Sequence, residues 1–483
     1  MKASDANCGD GGALRPSLAD DCRCASSGVG KIKFLIVCPA AKEFRVGTVG
    51  GRAAWRMRVF RFSMLTPLSV AAAAPDSVEP RIVDESVEPI DFDAEADLVG
   101  ISFMTFNAPR AYEIAWEFKR RGKTVVLGGY HPTLLPEEAA RHGDAVCVGE
   151  AEPNVPRIVA DFQAGRLQRF YSSRDSSFTS PCPDRRLIRE RQYVTSTVVQ
   201  ATRGCHNQCE FCSVTAFCRH TFKTRPVREV VDEIRSFRNK SILFMDDNLV
   251  ADPGYAASLF RELIPLRKHW YAQIGVSATR DPEFLELMRA SGCRGVFTGF
   301  ESLSQDSLNG TGKQFNRADE YREAIRRLHA HGIGVCGAFV LGFDQDTPAV
   351  FETTARFLEE AELDTLQLTV LTPFPGTQLF ERLNQAGRIF DTAWEHYDLG
   401  HVVFQPAVVS PEQLTAGHHR ILRQFYSWRS ILRRSLRQTR YLAPKEIALS
   451  FLVSIGYRFK LRATGILESP TRAEPIDAGR SAR

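Results

Sequence analysis

Three cysteines spaced Cys-x3-Cys-x2-Cys, at Cys205, Cys209 and Cys212, are the residues whose type and spacing point most directly to chemistry. They lie in Arg203-Gly204-Cys205-His206-Asn207-Gln208-Cys209-Glu210-Phe211-Cys212, directly after the strand-like run Thr197-Val198-Val199-Gln200. Soft thiolates in a tight run select iron–sulfur clusters. A [4Fe–4S] cluster normally takes four such ligands. Three leave one iron with an open position, and an open position separates a reacting metal site from a sealed structural one. A zinc knuckle or three unrelated buried thiols are the alternatives.

Such a loop needs a scaffold, and the chain supplies two. Lys31–Val37, Glu79–Asp84, Asp97–Phe103, Thr124–Leu127 and Ala145–Val148 read as strands, with Arg61–Ala74, Ala108–Arg121 and Leu135–His142 as helices. That alternation predicts an α/β domain with a parallel, doubly wound sheet, which binds ligands at the carboxyl ends of its strands. Ser102, Gly128-Gly129 and Gly149 stand at those ends. Glycine there lets the backbone approach a large flat ligand, although tight turns are a simpler use for it. From Val194 the alternation resumes, with strands at Thr197–Gln200, Ser241–Met245, Tyr271–Val276, Gly295–Phe300, Gly334–Leu341 and Thr365–Leu371. These units predict a partial (β/α) barrel with its chemistry at the carboxyl ends, where the cysteine loop already sits.

In this order and at this spacing, the features resemble the radical S-adenosylmethionine (SAM) enzymes. The domain before them resembles the cobalamin-binding domain that precedes many such barrels, and the likeness runs from Lys31 to Gly400. It implies that Cys205, Cys209 and Cys212 hold a [4Fe–4S] cluster whose open iron chelates the amino acid end of SAM. Phe211 takes the aromatic position before the last cysteine. Asp246, Asp247 and Asn248 fall where the family contacts the SAM amino group, and helix capping is the plainer role for Asn248 or Asp252. Glu301 resembles the group that holds the methionyl part or ribose. Gly337, Leu341 and Gly342 resemble the strand that flanks the adenine, and Pro373-Phe374-Pro375-Gly376-Thr377 the loop closing the sixth strand. Gly128-Gly129-Tyr130-His131-Pro132-Thr133, with Gly149-Glu150-Ala151-Glu152, carries the cobalamin likeness. It implies contacts from Ser102, Gly128, Gly129, Tyr130, His131, Gly149 and Glu150. The Asp-x-His-x-x-Gly motif that supplies a histidine to cobalt elsewhere is absent, so the implied cobalamin is not ligated by a protein histidine.

The implied reaction is SAM cleavage followed by methyl transfer from cobalamin to an unactivated carbon of a small molecule. A radical cyclase or rearrangement enzyme without methyl transfer shares the architecture. An iron–sulfur electron carrier is the rival from another class, but it would want a fourth cysteine, and Cys218 is the nearby one. Cys218 reads as a bystander, and Cys293 and Cys336 as small core residues. The likeness also implies an electron donor such as flavodoxin or ferredoxin.

Composition sets the outer bounds. The 483 residues carry a net charge of +5, with 43% hydrophobic and 25% charged residues. This suits a multidomain globular protein and offers no basic stripe for nucleic acid. Twelve cysteines, some clustered, point to a reducing cytoplasm rather than a disulfide framework. The expected divisions are a disordered tail at 1–30 holding Cys8, Cys22 and Cys24, a cobalamin-binding-like domain at 31–161, and a linker at 162–193. A barrel at 194–400, a helical region at 401–462 and a second disordered tail at 463–483 follow. In the linker, Arg185, Arg186, Arg189 and Arg191 read as a solvated face. The helical region divides into Ser410–Leu442, basic at its end, and the apolar Pro444–Tyr457. Packing against the barrel mouth is the simpler role for it, and contact with a membrane surface the alternative.

Overall fold

A computed structural model describes residues 30–42, 45, 64–173, 181–189, 192–194 and 197–467. Cys8, Cys22, Cys24 and Arg191 lie outside them. The amino-terminal sheet runs β2-β1-β3-β4-β5-β6, with β1 Ile32–Cys38, β2 Val78–Asp84, β3 Leu98–Ser102, β4 Thr124–Gly128, β5 Ala145–Val148 and β6 Phe170–Ser172. Every pair in it is parallel. Alternation sorts β1 between two cores: Phe34 and Ile36 pack with Leu68 and Ile158, while Leu35 and Val37 pack with Ile114 and Phe118. A strand covered on both faces reads as an unbroken apolar run, as residues 34–38 do. The chain order reverses between β1 and β3, which places a ligand crevice at their carboxyl ends.

The second sheet runs β14-β13-β12-β11-β10-β7, again all parallel. Its strands are β7 Val198–Val199, β10 Ser241–Phe244, β11 His269–Ile274, β12 Cys293–Glu301, β13 Gly334–Leu341 and β14 Thr365–Val370. A small antiparallel pair, β8 Thr202–Gly204 and β9 Phe222–Thr224, brackets the cysteine loop and the helix Ser213–Cys218. The sheet is the expected open barrel, with helices such as Val227–Ser236, Tyr321–Ala330 and Ala349–Glu360 packed outside it.

The open edge of β14 is closed by the carboxyl-terminal helices. Tyr426 donates its hydroxyl to Leu366 O at 2.5 Å and accepts from Leu366 N, while His418 Nε2 donates to Leu368 O at 3.0 Å. Both side chains belong to a helix and its C-cap, Pro411–Phe425 and Tyr426, opened by a capping box of Ser410 and Gln413. Leu414 of that helix reaches Gly342, at the barrel mouth.

Several boundaries differ from the sequence reading. The stretch 162–193 is not simply a connector: its first residues end the helix Val155–Gln163, and Phe170–Ser172 adds a strand to the sheet. Its arginines are not all solvated. Arg185 pairs with Glu233 at 2.6 Å and lies over Phe237, and Arg189 pairs with Glu88. The helix expected over Leu135–His142 begins earlier, at Tyr130, and breaks at Leu135 before Pro136–Ala139. Pro444 opens a helix that continues to Ala463 rather than ending at Tyr457.

Candidate active site at the junction of two sheets

Two carboxylates at the end of β10 brace the entry to the cysteine loop. Asp246 is buried and accepts from Ala201 N at 3.1 Å, from Thr202 N and from Thr202 Oγ1 at 2.7 Å. Burial pushes its carboxyl up to about 7, against the pull of those donors. Asp247 Oδ2 accepts from Gly204 N at 2.8 Å, one residue before Cys205. Asn248 Oδ1 accepts from Gly275 N at 3.1 Å and ties β10 to β11. The helix cap is Asp252, which accepts from Tyr255 N. The sequence reading placed Asp246 against a ligand, whereas its oxygens are committed to the backbone that shapes the loop.

The far side of the loop is held by the turn after the helix Gln305–Gly310. Glu210 N donates to Thr311 O at 3.1 Å, Leu379 N donates to Glu210 O at 3.0 Å, and Cys212 N closes a turn on Cys209 O. Phe211 packs beside Phe343 and Leu371. Within this frame the thiols are mutual electrostatic neighbours. Burial pushes Cys209 up to about 12, Lys313 pulls it down, and Cys212 and Cys205 push it up as like charges. Among the described residues no three His, Cys, Asp or Glu side chains converge as a single metal ion requires. A cluster ligated at three separate irons asks instead for thiols that surround a shared space, and it removes their protons on binding. Three thiols on one loop, near enough to raise one another and served by one lysine, fit that group by the chemistry of the donor set.

Lys313 is the site residue that sequence reasoning missed. It ion-pairs with Glu301. Its pKa is raised although burial lowers it, because Glu301, Cys209 and Cys212 all favour the cation. The available signal was Gly310-Thr311-Gly312-Lys313, a glycine-rich turn ending in lysine. Glu301 has φ of +66°, in the left-handed region, where β12 and β13 slip register. A non-glycine residue held there costs about 1–3 kcal/mol, and such residues gather at functional sites. Asn316 Nδ2 fixes the distortion by donating to Gly299 O at 2.9 Å.

Strand β13 corrects another expectation. Phe339 packs on Phe357 of the outer helix Ala349–Glu360, so Gly337 and Leu341 face the same outer layer. A Cβ at Gly337 would lie 3.0 Å from Leu363. Ala338 and Val340 face the other way. Gly342 needs its φ of +108° for the turn in which Asp346 accepts from its N–H at 2.8 Å.

The loops of the first domain meet this site directly. Gly129 has φ of +104°, and a Cβ there would come within 2.6 Å of Phe103 O, so the chain passes tightly over the end of β3 at Ser102. Tyr130 then stacks on Phe217, with ring centroids 4.5 Å apart. Its hydroxyl is raised by burial and by the nearby Asp247, Cys218 and Cys212. Gly149 N donates to Thr133 Oγ1 at 2.9 Å, and two acids follow. Glu152 accepts from Arg203 at 2.7 Å and Glu150 from Lys223 at 3.0 Å, joining β5 to the β8–β9 pair. Gly376, in the loop after β14, packs on Leu134. His131 departs from its expected ligand-facing role. Its ring is fully buried between the first domain and Trp394, with Nε2 bonded to Tyr112 and Glu138 and the Trp394 ring centroid 5.3 Å away. The glycines at the carboxyl ends of β4 and β5, the close pass of Gly129 over β3 and the burial of His131 fit a large planar group bound without histidine ligation.

The radical SAM superfamily model matches residues 199–358, and the B12 binding domain model matches 69–159. A domain of unknown function (DUF4070) covers 377–462. The chain is 32% identical over 390 residues to the bacteriochlorophyllide d C-12(1)-methyltransferase of Chlorobaculum tepidum, covering 77% of this chain and 84% of that one. To the bacteriochlorophyllide d C-8(2)-methyltransferase of the same organism it is 28% identical, covering 79% and 89%. The structure of the radical SAM methyltransferase TsrM from Kitasatospora setae, with cobalamin and a [4Fe–4S] cluster bound, superposes with a TM-score of 0.62 at 14% identity, covering 90% of this chain and all (100%) of that one. Two family models, a 32% identical relative and a shared fold agree with the two joined sites: the chain belongs to the radical SAM superfamily, among the enzymes that carry a B12-binding domain and use SAM, a [4Fe–4S] cluster and cobalamin.

Proposed function

We propose that the enzyme transfers a methyl group to an unactivated carbon of a small, largely apolar ring system. One observation supports this above the others. Tyr130, at the ligand end of the first sheet, stacks on Phe217 beside Cys212 at the ligand end of the second. A methyl donor and a radical source act on one carbon only when their sites share one space, with reacting atoms near ~3–3.5 Å at transfer. When bound, the cluster supplies the electron that cleaves SAM, and the cobalamin supplies the methyl group.

The chain's own part is positioning. Cys205, Cys209 and Cys212 offer the thiolates, with Asp246 and Asp247 fixing the loop from one side and Thr311 from the other. Lys313 and Glu301 set the charge beside the thiolates. Ser102, Gly128, Gly129 and Gly149 give the planar cofactor its close floor. The two bacteriochlorophyllide relatives support a ring system as substrate, and an electron donor of the flavodoxin or ferredoxin kind completes the reaction.

Anaerobically reconstituted protein, supplied with cobalamin and methyl-labelled SAM, should label a product in an extract of lipids and tetrapyrroles. Full turnover in cobalamin-free protein would overturn the proposal. SAM cleavage with an altered but unlabelled substrate would point instead to cyclisation or rearrangement.

A further inference from the structure

The carboxyl-terminal pair of helices, Trp428–Gln438 and Pro444–Ala463, buries one side and exposes apolar side chains on the other. On the first helix Ile431, Arg434 and Gln438 face inward. Opposite them Trp428, Leu432 and Leu436 recur every fourth residue, 48%, 54% and 73% exposed. On the second helix Ala448, Leu452, Ile455 and Phe459 share a face by their spacing, and Leu452 is 51% exposed. The Arg458 guanidinium lies 5.1 Å from the Trp428 ring centroid, so the two helices meet beside the first stripe.

The two helices themselves carry almost only positive charge. Between Trp428 and Ala463 the single acidic residue is Glu446, and it is buried. Arg433 and Arg437 are turned toward Glu359 and Glu362 on the barrel. Arg429 is exposed on the same side of the helix as Leu436, Arg440 is exposed in the turn that follows it, and Lys445 and Arg462 are exposed near the two ends of the second helix. No helix among the described residues is long and apolar enough to cross a membrane.

We propose that this face lies on an anionic lipid bilayer, with the leucines and Trp428 in the boundary between headgroups and acyl chains and the cations against lipid phosphates. An apolar stripe rimmed by arginine, with tryptophan at its edge, is the pattern that interfacial helices use. A second copy of the chain is a poorer partner, because two such faces would bring like charges together.

Vesicle flotation of the full chain tests this without any cofactor, so the result does not depend on methyl transfer. The protein should float with phosphatidylcholine vesicles containing phosphatidylglycerol and not with phosphatidylcholine alone. Added salt should weaken the binding. Arg429→Gln and Arg440→Gln should each weaken it about fivefold, and Leu432→Glu, Leu436→Glu and Leu452→Glu together should abolish it. Circular dichroism melting establishes that the variants fold. If the triple variant does not, Leu436→Glu alone decides, since that side chain is mostly in solvent already. Absence of wild-type flotation, or Leu436→Glu floating as well as wild type, overturns the proposal. A wild-type dimer that Leu436→Glu splits, with no vesicle binding, would do the same and assign the face to self-association.

Discussion

Lys313→Met removes the cation beside the cysteine loop while keeping most of its apolar stem. The side chains of Lys313 and Glu301 are 13% and 11% exposed, so the orphaned carboxylate stays buried. Removing one partner of a buried pair costs on the order of 3–5 kcal/mol, and the residual exposure places this case near 3. Adding Glu301→Gln takes away the stranded charge and should restore most of that loss in urea unfolding. The electrostatic consequence is separable from the packing one. Lys313 favours ionised thiolates at Cys209 and Cys212, and Glu301 opposes it. A unit charge at 4 Å in an effective dielectric of 20 amounts to about 4 kcal/mol, and the opposite charge of Glu301 cancels part of it. At ~59 mV per tenfold for one electron, the remainder corresponds to a shift on the order of 50–100 mV. Lys313→Met should lower the cluster's reduction potential and Glu301→Gln should raise it, read by redox titration of reconstituted protein followed by electron paramagnetic resonance. Shifts in the same direction, or none while iron and sulfide content hold, would refute the assignment of this pair to the cluster's electrostatics.

Replacing Cys205, Cys209 and Cys212 together by alanine should abolish the iron–sulfur absorption of reconstituted protein, whereas Cys218→Ala should preserve it; unchanged iron in the triple variant would count against the ligand set. A double-mutant cycle of Glu152→Gln and Arg203→Met should show a coupling of about 1–3 kcal/mol in unfolding free energy, and additivity would remove the clamp from the interface. His418 is buried and held neutral, lowered to about 4 from its ordinary 6.5 by burial. Between those values the unfolded chain binds a proton that the folded one refuses. Stability should therefore be full above about 6.5 and fall as pH drops toward about 4, by on the order of 3 kcal/mol. Thermal melting across that window should fall more steeply for the wild type than for His418→Gln, and parallel curves would contradict this.

The cysteine triad and the order of the strands were legible because both are local: ligand spacing, and apolar runs separated by helices. What escaped depended on partners distant in sequence. Phe170–Ser172 is a strand of three residues inside a polar stretch, visible only through its pairing with β5. Alternation along β13 shows that Gly337 and Leu341 share a side with Phe339, but only Phe357 reveals that this side faces the helices. Asp246 reads as an acid beside a ligand, yet the donors that claim it are Ala201 and Thr202, more than forty positions away in sequence. Lys313 lacked any periodic signal, and its meaning comes from Glu301 and the thiols around it.

The sealed edge of β14 bears on how the protein behaves as a solute. An incomplete barrel ends in a strand whose free carbonyls and N–H groups are a template for another chain's strand. Tyr426 and His418 occupy those groups at Leu366 and Leu368, so the helices after Ser410 do for this barrel what two further strands would do for a closed one. Loss of those helices would strip the edge of β14, Thr365–Val370, and the expected result is strand-to-strand association into aggregates, measurable as light scattering at protein concentrations where the longer chain stays clear.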